Sequence, residues 1–228
     1  MVVGNGMIAK KFAGYADDDN FIIFASGVSN SKSSDQNEYL REFTLLKETI
    51  AACSDRTLVY FSTASIYDPS EGGSDYINHK KHVEQYIESN VKKYVILRVS
   101  NVVGKSTNPN TIFNYLIRHI IEKTNFGLWL NASRNLIDID DLFKVVDHLL
   151  QNKLFLNTIV NVANPKNYRI KEMVEAIELC YGKKASYIPI FKGCDFAIDI
   201  SAIRPVFESL KIDFGDDYLK KLLLKYHS

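Results

Sequence analysis

"MVVGNGMIA" (residues 1–9) sets a short apolar run directly before two glycines one residue apart and an alanine three further on. The run reads as a buried strand and the glycines as a turn into a helix. Gly4 would make the tight turn, Gly6 would let a pyrophosphate approach the backbone at the helix N-terminus, and Ala9 would permit close helix–strand packing. A turn that binds nothing can have the same sequence, so G-x-G-x-x-A alone fixes a local geometry and not a ligand. An acid about 20 residues on, at the end of the second strand, usually completes such a site by holding a ribose. Here only Asp17, Asp18 and Asp19 are near, and they precede the next apolar run, as a solvated turn would.

Further apolar runs follow at 21–26, 57–63, 94–100 and 158–164, rich in Val, Ile, Phe and Tyr and without polar alternation, as in buried parallel strands. Helical patterns lie between and after them, at 36–53, 75–90, 109–124, 138–152, 169–181 and 216–226. In the first, Leu40, Phe43, Leu46 and Ile50 are read as the apolar stripe; in the second, Tyr76, Val83 and Ile87. Strand alternating with helix predicts a parallel sheet covered on both faces.

The 228 residues are enough for one sizeable core with a small appended lobe, and the net charge of +1 gives no reason to expect nucleic acid or an acidic membrane surface as partner. No apolar run approaches the roughly 20 residues that span a bilayer. Cys53, Cys180 and Cys194 are odd in number and widely spaced, which fits reduced, buried or half-buried thiols in the cytoplasm. The five histidines (79, 82, 119, 148, 227) form no metal-ligand spacing, so no metal is expected; His79 and His82 read as solvated.

"YINHK" (76–80) places Tyr76 and Lys80 four apart on one helical face. A phenol is a poor acid–base group near neutrality, and an ammonium one turn away favours the phenolate. Ser62, Thr63 and Ser65 close a strand that could supply a hydroxyl. On spacing alone, Tyr76 opening an amphipathic helix with Lys80 in solvent explains the motif as well.

The order of these parts resembles the extended branch of the short-chain dehydrogenase/reductase superfamily, the NAD-dependent epimerase/dehydratase family that acts on nucleotide sugars. "FASGVSNS" (24–31) is similar to its fourth strand and the loop by the nicotinamide, and "VYFSTASIYD" (59–68) to its hydroxyl-bearing strand. "ILRVSNVVG" (96–104) resembles its R-x-x-N-x-x-G segment, with Arg98 and Asn101. "RNLIDIDDL" (134–142) resembles its arginine-to-acid-pair stretch, and "IVNVANPKNYRIKEMVEAI" (159–177) the strand–helix unit that follows. The resemblance implies an α/β fold: a Rossmann-like parallel sheet with helices on both faces and a small C-terminal substrate lobe. Residues 1–104, with 138–165 returning to them, would form the cofactor domain; 105–137 and 166–228 would form the lobe.

It also implies roles. Tyr76 would be the acid–base residue, Thr63 would bind the reacting hydroxyl or ketone, and Lys80 would favour the phenolate and hold the nicotinamide ribose. Gly4, Gly6, Met7, Ile8, Ala25, Ser26 and Lys80 would hold NAD or NADP. Ser65, Asn101 and Arg134 would face a nucleotide-sugar substrate, although Arg134 could equally pair with Asp138, Asp140 or Asp141. A homodimer seam of the helices at 36–53 and 75–90 is the family habit.

Two departures narrow the expectation. The family places two more strand–helix units between its glycine turn and its fourth strand, whereas Gly4 to Phe21 has room for one short helix. The sheet should therefore be reduced in strand number, with its first strand an edge and the wall that cradles adenosine missing. Ala64 and Ser65 follow Thr63 where the family's dehydratases carry acids, and Ser65 is not the cysteine of its epimerase-reductases. Hydride transfer at a sugar carbon remains, as in a 4-epimerase or a 4-keto reductase. The alternative is a shortened, non-catalytic member that binds a sugar nucleotide or assists assembly.

Overall fold

A computed structural model describes residues 1–28, 30, 32–52 and 55–227. Cys53 lies outside the described residues; Cys180 is exposed and Cys194 half-buried, so the expectation of burial fails for Cys180. The chain runs β1 (Val2–Val3), α1 (Met7–Lys11), β2 (Phe21–Phe24), α2 (Gln36–Ala52), β3 (Thr57–Thr63), α3 (Asp75–Asn90) and β4 (Tyr94–Val99). It continues β5 (Asn101–Val103), α4 (Ile112–Glu122), β6 (Phe126–Trp129), β7 (Ser133–Asp138), α5 (Ile139–Gln151) and β8 (Thr158–Val162). Then come β9 (Asn167–Arg169), α6 (Ile170–Tyr181), β10 (Tyr187–Ile190), α7 (Arg204–Ser209) and α8 (Tyr218–His227).

The main sheet has five strands in the order β1-β2-β3-β4-β8, and every pairing is parallel. All seven residues of β3 are buried, as the unbroken apolar run requires of a strand covered on both faces. One face carries Ile23, Val59, Phe61, Val95 and Leu97 against Phe12 and Tyr15 beyond α1, and against Leu142, Val146 and Leu149 of α5. Ile200, Ile203, Val206 and Phe207 add to this core. The other face carries Ile22, Phe24, Leu58, Tyr60 and Ile96 against Leu46 of α2 and Val83 and Ile87 of α3. A third core joins α4, β6, β7, α6 and α8, beside a three-stranded sheet β5-β7-β9 and the pair β10-β6. The architecture is thus α/β and Rossmann-like.

The clipped region leaves a mark on the topology. The β1-to-β2 and β2-to-β3 connections step the same way across the sheet, yet the first packs on one face and the second on the other. Two such crossovers have opposite hands, so one departs from the near-universal right hand. In a sheet of order 3-2-1-4-5-6, two further strands intervene between the first and the fourth, and this conflict does not arise there.

Candidate functional site

Parallel strands bring their C-terminal ends to one side of the sheet, where Gly4 and Gly6 follow β1, Ala25 and Ser26 follow β2, and Thr63 ends β3. Tyr76 and Lys80 lie on α3, and Asn101 and Arg134 lie on the separate β5-β7-β9 sheet. Gly4 follows β1 with φ +124°, and a Cβ there would stand 2.4 Å from the Ala25 carbonyl oxygen, so the position requires glycine. Gly6 is the N-cap of α1 and faces open space. Met7 and Ile8 are half-buried and pack into the core through their side chains. The Ala25 N–H donates to the Val3 carbonyl at 2.8 Å, and Ser26 takes two hydrogen bonds from the Arg41 guanidinium.

Thr63 ends β3, buried, and its Oγ1 caps a 3-10 turn by accepting the Ser65 N–H at 3.1 Å. The chain then passes Gly72 and Gly73 to Ser74, whose hydroxyl accepts the Ile77 N–H and starts α3. That start sets Tyr76 half-buried in the first turn and Lys80 one turn further in, 2 % exposed.

Lys80 is not a surface lysine. Its Nζ donates to Glu42 Oε1 at 2.8 Å and to the Tyr60 hydroxyl at 2.9 Å. It lies 4.9 Å from the Tyr60 ring centroid and 5.9 Å from that of Tyr76. Glu42, fully buried on α2, also accepts from the Tyr60 hydroxyl at 2.7 Å and the Val28 N–H at 2.8 Å. Gly27 closes over this cluster, since a Cβ there would meet Lys80 Nζ at 2.8 Å. Burial alone would push the Glu42 carboxyl up, but the Lys80 charge and the surrounding donors hold it well below the usual range. Burial would likewise lower Lys80, and the Glu42 charge outweighs it, so the ammonium is held above its ordinary value.

Two expectations are corrected here. The His79 side chain is only 9 % exposed, with Nε2 3.1 Å from Glu42 Oε2, and its ring packs at a tilt against Tyr39. Leu40 is 63 % exposed; the buried positions of α2 are Tyr39, Glu42, Leu46 and Thr49. An ion pair across two helices rotates the stripe by about one position relative to the apolar reading. A charged residue at core spacing on both α2 and α3 is the signal that could have found Glu42.

A second buried acid sits beside the first. Glu84 on α3 accepts two hydrogen bonds from Arg98 on β4, at 3.0 and 2.6 Å, and one from Ser62 at 2.5 Å. Arg98 Nη1 reaches the Tyr67 hydroxyl at 2.9 Å, which donates to Asn161 at 3.1 Å. Hydrogen bonding to Glu84 raises Arg98 further. Asn101, exposed on β5, donates to the Asn135 carbonyl at 2.9 Å. Arg134 on β7 stands 3.6 Å from buried Asp68, not beside Asp138, Asp140 or Asp141. Asp138 is instead held by Lys225 and Tyr226, and Asp140 by Lys11 and Lys225. Asp68 leads into the loop before α3, so its ion pair ties that loop to β7.

A sequence profile described as "NAD dependent epimerase/dehydratase family" matches residues 18–163, and the chain belongs to that family. No curated protein sequence matches the chain. Solved structures with a similar fold include a UDP-glucose 4-epimerase of Thermus thermophilus in complex with NAD (TM-score 0.69, 16 % identity, 95 % of this chain and 79 % of that one). A UDP-N-acetylglucosamine 4-epimerase of Methanobrevibacter ruminantium, solved with UDP-N-acetylmuramic acid, gives TM-score 0.70 at 19 % identity over 90 % of this chain and 75 % of that one. A UDP-glucuronic acid 4-epimerase of Bacillus cereus with NAD gives 0.68 at 20 % over 96 % and 78 %.

The family's dinucleotide can be tested against these residues. At the ends of β2, β3 and β4 they suit a nicotinamide half: Ala25, Ser26, Thr63 and Ser65 gather there, and the buried Ser100 hydroxyl after β4 has no hydrogen-bond partner among the described residues. At the β1 edge they suit an adenosine half poorly, because the sheet stops at that strand.

Proposed function

We propose that the chain is an NAD(P)-dependent enzyme acting on a nucleotide sugar, as a 4-epimerase or a 4-keto reductase. The observation that supports this reading is that Thr63 ends β3 while Tyr76 and Lys80 lie one turn apart at the start of α3, with Lys80 Nζ 5.9 Å from the Tyr76 ring centroid. Tyr76 would take the proton from the sugar hydroxyl as the carbonyl forms and return it in the reverse direction. Thr63 would hold the reacting oxygen in line with that phenol. Asn101 and Arg134 would orient the substrate, Arg134 by leaving Asp68 for a diphosphate. Bound nicotinamide would accept or give the hydride. No helix among the described residues is long and apolar enough to cross a membrane, and nothing in the proposal requires one.

One observation favours a second reading, a non-catalytic sugar-nucleotide binder or assembly partner. Glu42 balances the Lys80 charge and the Tyr60 hydroxyl accepts a further hydrogen bond from its ammonium, so Lys80 is engaged away from solvent. Fluorescence titration with NADH and NADPH separates the two. Saturable binding is expected for the enzyme, and its absence at millimolar cofactor supports the binder. Tyr76→Phe should then abolish turnover and leave cofactor affinity nearly intact, because it removes only the proton; an active variant would put the acid–base group elsewhere.

A further inference from the structure

We infer that a dinucleotide bound to this chain is held through its nicotinamide mononucleotide half, with the adenosine half adding nothing to affinity. This rests on the cofactor site proposed above and goes on to say what that site recognises.

In a doubly wound sheet the dinucleotide lies across the crevice where strand order reverses, with one mononucleotide-binding unit on either side. Here the order β1-β2-β3-β4-β8 never reverses, and β1 is the outer strand. One unit is present and its neighbour is not. Every residue between β1 and β2 is described, so nothing hidden fills the gap: α1 has five residues, a 3-10 turn covers Ala13–Tyr15, and a bend leads to Phe21.

Three of the charged side chains between β1 and β2 are engaged elsewhere. Asp18 Oδ1 accepts the Asn20 and Phe21 N–H groups, and Asp19 pairs with Arg56 at 2.6 Å. Both acids precede β2 and so lie at the end of the sheet away from the glycine turn, where they cannot hold a ribose diol. The N-terminal ammonium is fixed by the Tyr15, Asp18 and Phe21 carbonyls at that same far end. Lys11, a cation on α1 that could meet a 2′-phosphate, is engaged with Asp140 at 2.5 Å. The nicotinamide side, by contrast, keeps the O–H donors of Ser26 and Thr63, which act only as acceptors toward Arg41 and the Ser65 N–H, and the Ser100 hydroxyl, which has no partner among the described residues.

The test is a fluorescence titration of the full chain with reduced nicotinamide mononucleotide, NADH and NADPH, with AMP as competitor. The inference expects the three dissociation constants to agree within about threefold and AMP to displace none of them. It also expects Ser100→Val to weaken all three by the same factor, since they share the half that Ser100 meets. NADH or NADPH binding about tenfold tighter than the mononucleotide, or displacement by AMP, overturns the inference and leaves the cofactor site standing. Failure of all three to bind overturns the inference and the cofactor reading together.

Discussion

β1 gives the main sheet two residues and one neighbour, whereas β3 gives it seven buried residues between two neighbours. The edge is held by a few backbone hydrogen bonds, the Gly4 turn, the N-terminal ammonium on three carbonyls and the packing of Val2. The centre is held by two apolar faces and two buried carboxylates, Glu42 and Glu84, that bind α2 and α3 to the strands beneath. The difference separates two tasks that a dinucleotide enzyme normally joins. No strand lies beyond β1 among the described residues, while the residues proposed for proton chemistry stand on a buried, hydrogen-bonded support. If that is the right contrast, substitutions at the centre cost much stability and those at the edge cost less.

The largest effect is expected from Lys80→Met, which strands the fully buried Glu42 charge. Removing one partner of a buried pair costs about 3–5 kcal/mol, and replacing both by apolar groups is often nearly neutral. Urea unfolding should therefore show Lys80→Met far less stable than the parent, with much of the loss recovered in Glu42→Leu/Lys80→Met. The pair also fixes a pH window. Glu42 is depressed, so its contribution is complete above the ordinary value of 4.5 and is lost as pH falls from there toward its folded value. Lys80 is raised, so its contribution is complete below 10.5 and is lost as pH rises through its folded value. Lys80→Met should flatten the acid limb of the stability profile; an unchanged limb would mean that other carboxylates cause it.

Arg98→Met comes next, at about 2 kcal/mol, since it removes charge-assisted hydrogen bonds but leaves Glu84 the Ser62 donor and a route to solvent near the Arg98 site. Gly4→Ala should cost about 1–2 kcal/mol: the backbone conformation is strained for any other residue, but a two-residue edge strand can shift from the Ala25 carbonyl more easily than a central one. A cost for Gly4→Ala above that of Lys80→Met in the same unfolding series would reverse the contrast between edge and centre.

Much of this was legible in the sequence, for identifiable reasons. Unbroken apolar runs such as 57–63 can only be two-faced strands, and the short interval from Gly4 to Phe21 announced the reduced sheet with β1 at its edge. The spacing of Tyr76 and Lys80 put them correctly on one helix. What spacing could not carry was the partner of Lys80. Glu42 lies 38 positions away, and the contact depends on how α2 and α3 pack side by side on the sheet. The same limit explains His79, read as solvated because its neighbours in sequence are polar, and Arg134, whose acid proved to be Asp68 across the fold. Local apolar pattern does not report a charge that is covered because another charge waits there, and on α2 that omission displaced the covered face by about one position.

Tyr76→Phe marks the small end of the scale. Tyr76 is half-buried in the first turn of α3, and the helix start is secured by Ser74 and not by the phenol. Loss of the hydroxyl should change stability by no more than about 0.5 kcal/mol, the range of substitutions away from buried networks. The comparison with Lys80→Met is informative because the two residues sit one turn apart on the same helix. If both were only structural, both should register in unfolding experiments. A variant that unfolds like the parent yet loses turnover assigns the phenol to chemistry. A variant that loses about 2 kcal/mol or more would instead draw Tyr76 into the Glu42–Lys80–Tyr60 cluster as a structural member, and the support beneath the site and the site itself would no longer be separable.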